Sequence, residues 1–272
     1  MLGYSEAVAV TDEDRRAFLE FAVAIAGVAG ESTLGFFRRA VQVENKLIDS
    51  GGFDPVTEAD RGAERIIREA IAARFPEHGI YGEEYGLQEG NGLTWVIDPI
   101  DGTRAFMSGM LHWGVLLALF DGQEPIVGVM HQPFTNEYFY GDGNVAKYRR
   151  GNVHHALRVR ACSSLDAAVL AATGPQLSAP GDQRAAFDRL RKSVLLTRFG
   201  GDCYLYGMLA MGFVDVAAEA GLNPYDIQAL VPIIRGAGGT VTTWTGSDPS
   251  MGGAILATGD PLVHKQALEI LG

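Results

Sequence analysis

Apolar residues near the N-terminus recur at helical spacing, with Phe18, Phe21, Ile25 and Val28 forming one stripe. Thr11-Asp12-Glu13-Asp14 reads as a capping region, its acids placed where a helix dipole favours them. The spacing predicts an amphipathic helix to about Gly30, a kink, and a second helical stretch from Glu31 to about Arg39. Residues 41–48 read as extended, and Gly51-Gly52-Phe53-Asp54-Pro55 as a loop. Val56-Thr57-Glu58-Ala59-Asp60 leads into a third helix, carried through Ile66, Ile67, Ala70 and Ile71 to Phe75, where Pro76 stops it.

Beyond residue 80 the period shifts to that of strands. Residues 80–82 form a short one, and 94–97 are an apolar run of the buried type. Strands at 115–120 and 125–131 face each other across Asp121-Gly122, and 138–140 and 145–149 do so across Gly141-Asp142-Gly143-Asn144. From about 155, strands at 157–160, 168–173, 194–198, 213–218, 240–243 and 254–258 alternate with helices at 183–192, 202–211, 225–236 and 261–270. The expected organisation is one unit over 1–272: helices plus an antiparallel sheet in 1–153, an α/β half in 154–272, and no flexible linker between.

Composition narrows the class. The 272 residues are 47% hydrophobic and 20% charged, which excludes disorder, collagen and coiled coil. Against 22 Lys and Arg stand 33 Asp and Glu, a net charge of −11. So acidic a surface repels polyphosphate backbones, which argues against nucleic acid as a partner. It suits carboxylates gathered around a divalent cation. Cys162 and Cys203 make neither a disulfide framework nor a zinc cluster and read as reduced thiols. The sequence shows no basic-then-apolar leader and no uninterrupted apolar run of about 18 residues, so the expectation is a soluble, cytoplasmic protein with no membrane partner.

The informative segment is Trp95-Val96-Ile97-Asp98-Pro99-Ile100-Asp101-Gly102-Thr103. An apolar strand ends in a carboxylate, and Pro99 is expected to stop the ladder there. Asp98 and Asp101 lie across a tight turn, so both carboxylates can converge with the Ile100 carbonyl. These hard oxygens suit Mg²⁺, which takes few protein ligands and fills its shell with water and substrate phosphate. Gly102-Thr103 open a short helix that offers backbone N–H groups to an anion. Elsewhere, His154 and His155 read as surface residues, and His112 and His131 as satisfied core histidines. Met107 and Met110 read as packing beside Phe106, and Arg149, Arg150, Arg158 and Arg160 as a solvated basic hairpin face.

Asp98-Pro99-Ile100-Asp101-Gly102-Thr103 resembles the signature of the inositol-monophosphatase-type, metal-dependent phosphomonoesterases. Further elements recur in that family's order: Asp54 to Asp60, Gly82-Glu83-Glu84, and Pro224-Tyr225-Asp226 ahead of Gly236-Ala237-Gly238-Gly239. The resemblance implies an α+β/α/β chain folded as a layered αβαβα sandwich of the inositol-monophosphatase and fructose-bisphosphatase type. It further implies a homodimer, a small phosphate monoester substrate, and two or three Mg²⁺ ions. By motif, Glu83 would bridge metals and orient the attacking water. Asp98, the Ile100 carbonyl, Asp101 and Asp226 would be the other ligands, and Thr103 would hold the water with Asp54 behind it. Taken alone, Gly82-Glu83-Glu84 reads as a solvated acidic turn, Asp54 as a turn former, and Asp226 as a first-turn helix acid.

Substrate must be read elsewhere. Arg104-Ala105-Phe106-Met107-Ser108-Gly109, Gly128 to Pro133 and Thr197 to Tyr204 are most similar to the histidinol-phosphate phosphatase branch. Arg104-Ala105 and Asp202 depart from the threonine-asparagine and serine usual in inositol phosphatases. Gly102, Thr103, Arg104, Asp202, Glu219 and Asp226 are the candidate substrate-binding residues, with Glu219 expected at a strand end and Asp202 open to an alternative role as a helix N-cap. The implied reaction is hydrolysis of L-histidinol phosphate. An inositol or broad sugar-phosphate monophosphatase is the alternative, and a non-catalytic metal-binding scaffold the reading from another class.

Overall fold

A single helix, α1 (Asp12–Leu34), opens the chain in this computed structural model, which describes residues 2–39, 43–45, 55–175 and 181–272. Thr11 caps it, its hydroxyl oxygen accepting from the Asp14 amide at 3.1 Å. The expected kink at Gly30 is absent, and no second helix starts at Glu31. Gly30 serves a close approach instead: a Cβ there would lie 2.6 Å from the His131 ring and 2.7 Å from Pro133. Val28 leaves the expected stripe and is exposed; the packed face is Phe18, Ala22, Ile25, Ala26 and Ala29. By length and composition alone α1 could cross a bilayer, but this face packs on its own protein.

β1 (Val43–Asn45) pairs antiparallel with β2 (Pro55–Thr57), which runs into α2 (Glu58–Arg74). Thr57 and Asp60 form a reciprocal capping box at that junction, fixing where α2 begins. Eight strands follow: β3 (Gly79–Gly82), β4 (Gly86–Gln88), β5 (Thr94–Asp101), β6 (Gly114–Phe120), β7 (Pro125–Gln132), β8 (Glu137–Gly141), β9 (Ala146–Arg150) and β10 (Val153–Ala156). They lie in the order β10-β9-β8-β7-β6-β5-β3-β4, antiparallel except where β3 runs parallel to β5.

The second half builds a five-stranded mixed sheet, β12-β11-β13-β15-β14, from β11 (Val169–Ala172), β12 (Leu196–Phe199), β13 (Val216–Leu222), β14 (Thr240–Thr243) and β15 (Gly253–Thr258). α3 (Thr103–Met107), α4 (Gly181–Lys192), α5 (Asp202–Ala210), α6 (Pro224–Ile227), α7 (Leu230–Gly236) and α8 (Pro261–Leu271) complete the chain. The helix expected over 225–236 is therefore two, α6 and α7. The strand expected at 157–160 is a connector between the sheets: the Leu157 amide donates to Ala146 O and the Val159 amide to Ala237 O. Of the four arginines expected on a solvated face, Arg150, Arg158 and Arg160 are exposed, Arg160 also pairing with the buried Asp215 carboxylate, while Arg149 is half-buried over the Tyr138 ring at 3.9 Å.

Strand alternation creates the layers. On β6, Val115, Leu117 and Leu119 face α1 and α2, while Leu116, Ala118 and Phe120 face a central layer containing α5 and α7. On β13, Ala217 faces that central layer, whereas Val216 and Ala218 face α4 and α8. Helices, sheet, helices, sheet, helices: the result is an αβαβα sandwich. Both faces of β6 and β7 are buried, which accounts for their continuous apolar runs.

Candidate active site

β5 does not stop at Pro99. It continues to Asp101 through a bulge, with Asp98 opposite Leu116 and Asp101 opposite Gly114, so three steps on β5 match two on β6. Proline fits a bulge because it has no amide to offer the ladder. The extra residue also matters for chemistry. Side chains three apart on a regular strand point to opposite faces; the bulge restores Asp98 and Asp101 to one side. Asp226 joins them from α6, and the three residues each offer an oxygen within 4.8 Å of the others.

Backbone amides hold each carboxylate. The Ile100 amide donates to Asp98 Oδ1 at 3.1 Å, and the Cys203 amide, at the start of α5, donates to Asp101 Oδ2 at 2.6 Å. Asp226 Oδ2 accepts from the Asn223 amide at 2.6 Å in the α6 capping box. Glu83 lies on the turn between β3 and β4, its amide donating to Ile97 O, and its charge acts on Asp98. The Thr103 hydroxyl donates to Ile100 O at 3.1 Å, leaving that carbonyl its second lone pair. Gly102 ahead of it has φ 83°, and a Cβ would lie 2.4 Å from His112 O, so only glycine fits. Asp54 lies outside the described residues.

A cavity of about 570 Å³ extends from Asp101 and Asp226 to Asp202, Glu219, Arg104 and His112. Asp202 is not the N-cap; Gly201 is, and Asp202 begins α5 at φ 44°. Glu219 is not at a strand end but inside β13, buried, with Oε1 accepting from the Thr173 amide at 2.8 Å and Oε2 from the Tyr206 hydroxyl at 3.2 Å. His112 is half-buried on the cavity wall rather than in the core. His131 is the core histidine, its Nδ1 3.0 Å from Glu137 O and its ring stacked on Tyr138. Sequence reasoning missed Thr173 and Tyr206, whose link to Glu219 crosses strands and helix and leaves no local signal.

Charge accumulates here. Burial, then Glu83, Asp101 and Asp226, push the Asp98 carboxyl well above the usual range. Burial, then Asp202 and Asp226, do the same to Asp101, against the pull of Cys203. Burial lifts Asp226 to about 6 and Asp202 to about 7; Glu219 adds to the rise at Asp202, and Arg104 opposes it. Burial also raises Glu219. Clustered carboxylates that raise one another's pKa are what a divalent cation relieves, and a donor set made only of hard oxygens fits Mg²⁺.

The inositol monophosphatase family model matches residues 14–271. The chain is 37% identical over 275 residues to the chloroplastic bifunctional phosphatase IMPL2 of Arabidopsis thaliana, covering 96% of this chain and 77% of that protein. It is 33% identical over 256 residues to the histidinol-phosphatase of Chlorobaculum parvum, covering 93% and 96%. An inositol monophosphatase structure from Zymomonas mobilis superposes with a TM-score of 0.83 at 35% identity, covering 94% and 98%. Layering, ordered acidic motifs and end-to-end similarity converge, and the chain belongs to the inositol monophosphatase family of phosphatases.

Proposed function

We propose that this phosphatase is Mg²⁺-dependent and hydrolyses L-histidinol phosphate to L-histidinol and phosphate. Asp98, Asp101, Asp226, Glu83 and the Ile100 carbonyl would hold the metal. Bound there, Mg²⁺ supplies positive charge to the phosphate oxygens and leaving alkoxide and acidifies a water. The chain's own work is positioning. Glu83 and the Thr103 hydroxyl orient the attacking water, and Asp54 is assigned by motif to take its proton. Cys203 and Ile100 amides keep Asp101 and Asp98 aimed at one point.

The observation that carries the substrate is the second carboxylate pair, Asp202 and Glu219, on the wall of the cavity that Asp101 and Asp226 also line. L-histidinol phosphate brings an ammonium group and an imidazole that titrates near neutrality, so it can add a cation to a pair that only Arg104 of the cavity lining offsets in part. Inositol 1-phosphate brings only hydroxyls beyond its phosphate and offers this acid pair no positive charge. The Chlorobaculum relative, named a histidinol-phosphatase, supports the first reading; the similarly related Zymomonas structure supports the second. The test is phosphate release from L-histidinol phosphate by chelator-treated protein. Turnover restored by Mg²⁺ is expected; release from inositol 1-phosphate with none from L-histidinol phosphate would refute the assignment.

A further inference from the structure

The turn that carries Glu83 is gripped from behind by a buried ion pair on α2. Glu64 is fully buried, and its Oε1 accepts from Arg68 Nε at 2.7 Å, one helical turn on. Its Oε2 accepts from the Glu84 amide at 2.8 Å, and Oε1 also from the Tyr85 amide at 3.3 Å. Arg68 closes the grip by donating to Gly86 O and lying over the Tyr85 ring. The pair thus binds three consecutive residues, 84 to 86, directly after Glu83.

Gly82 shows that this grip dictates sequence. A Cβ there would sit 1.9 Å from Glu64 Oε1 and 2.3 Å from its carboxyl carbon. Gly82 is not among the residues with positive φ, so its backbone does not demand glycine; the Glu64 carboxylate does. On the other side of Glu83, its own amide is tied to Ile97 on β5, next to Asp98. The backbone at Glu83 is therefore held between β5 and the Glu64–Arg68 pair, beside the Asp98 cluster.

We propose that Glu64 is a positioning residue, which with Arg68 and Gly82 sets the Glu83 carboxylate at the metal cluster. This rests on the reading of that cluster as a Mg²⁺ site. A carboxylate that also accepts from two backbone amides does more than helix stability requires, since one i,i+4 partner would neutralise Arg68. The structure instead spends the charge on the turn.

The test is Mg²⁺ binding by calorimetry, with Mg²⁺ alone as the probe, beside melting temperature. Glu64→Gln and Gly82→Ala are each expected to weaken Mg²⁺ binding about tenfold or more. Their combination should weaken it no further than the worse single variant, because both act through one contact. Asp215→Asn disrupts another ion pair on a fully buried carboxylate, with the exposed Arg160, away from the cluster. It should lower the melting temperature and leave Mg²⁺ affinity unchanged. Unchanged Mg²⁺ affinity in Glu64→Gln, or an equal loss in Asp215→Asn, would overturn the positioning role alone. Wild-type protein that binds no Mg²⁺ would overturn the reading of the site, and the positioning role with it.

Discussion

Replacing Glu219 with glutamine changes charge while keeping shape. The amide oxygen can still accept from the Thr173 amide, and the new NH₂ can donate to the Tyr206 hydroxyl, whose proton then turns away. Burial and the neighbouring Glu219 keep that phenol protonated in the wild type, so the exchange needs no change in its charge. Fold and metal cluster should therefore survive. What disappears is a desolvated negative charge facing the cavity. A charge-assisted hydrogen bond to a substrate cation contributes roughly 1.5–3 kcal/mol. At 1.36 kcal/mol per tenfold, kcat/KM for L-histidinol phosphate should fall by about ten- to a hundredfold. The assay is phosphate release from L-histidinol phosphate beside p-nitrophenyl phosphate, which carries no cation. Loss confined to the first is expected; equal losses on both would show that Glu219 supports metals or fold, and the reasoning would fail.

Asp101→Asn and Asp226→Asn should each reduce Mg²⁺-dependent turnover by at least about a hundredfold, because a charged ligand supports several kcal/mol of transition-state charge; near-normal turnover of both at saturating Mg²⁺ would contradict the ligand set. Thr103→Ala should lower kcat while leaving the Mg²⁺ requirement nearly unchanged, and calorimetry showing the reverse would make Thr103 a metal-holding residue. Burial holds His131 down at about 4, against 6.5 in the unfolded chain. The unfolded state then takes up the proton first as pH falls, so the stability advantage of wild type over His131→Gln should shrink by about 3 kcal/mol between pH 7 and pH 4. Urea unfolding of both at these pH values measures it, and a constant difference would refute the sign.

The fold was legible where burial is regular. β6 and β7 announce themselves as apolar runs because both faces are covered, and α2 by the helical spacing of Ile66, Ile67, Ala70 and Ile71 and the stop at Pro76. It was illegible where a distant contact overrides local preference. Gly30 looks like a break until the His131 and Pro133 rings are seen against it. Residues 157–160 have strand composition, yet their amides reach Ala146 and Ala237 rather than a ladder. The same division runs through the site. Asp98 and Asp101 are close in sequence, so their convergence could be argued locally, although the bulge that produces it could not. Asp226 and Glu83 entered only by family resemblance. Glu64 was invisible, since its targets are backbone amides twenty and twenty-one residues ahead, which carry no side-chain signature.

The most direct measurement is the ratio of kcat/KM for L-histidinol phosphate to that for inositol 1-phosphate, taken on the same Mg²⁺-loaded enzyme. A cavity lined by Asp202 and Glu219 predicts a ratio of about ten or more, from one charge-assisted contact worth roughly 1.5–3 kcal/mol. A ratio of one or below would contradict the account, leaving a phosphatase whose buried acids serve some other end.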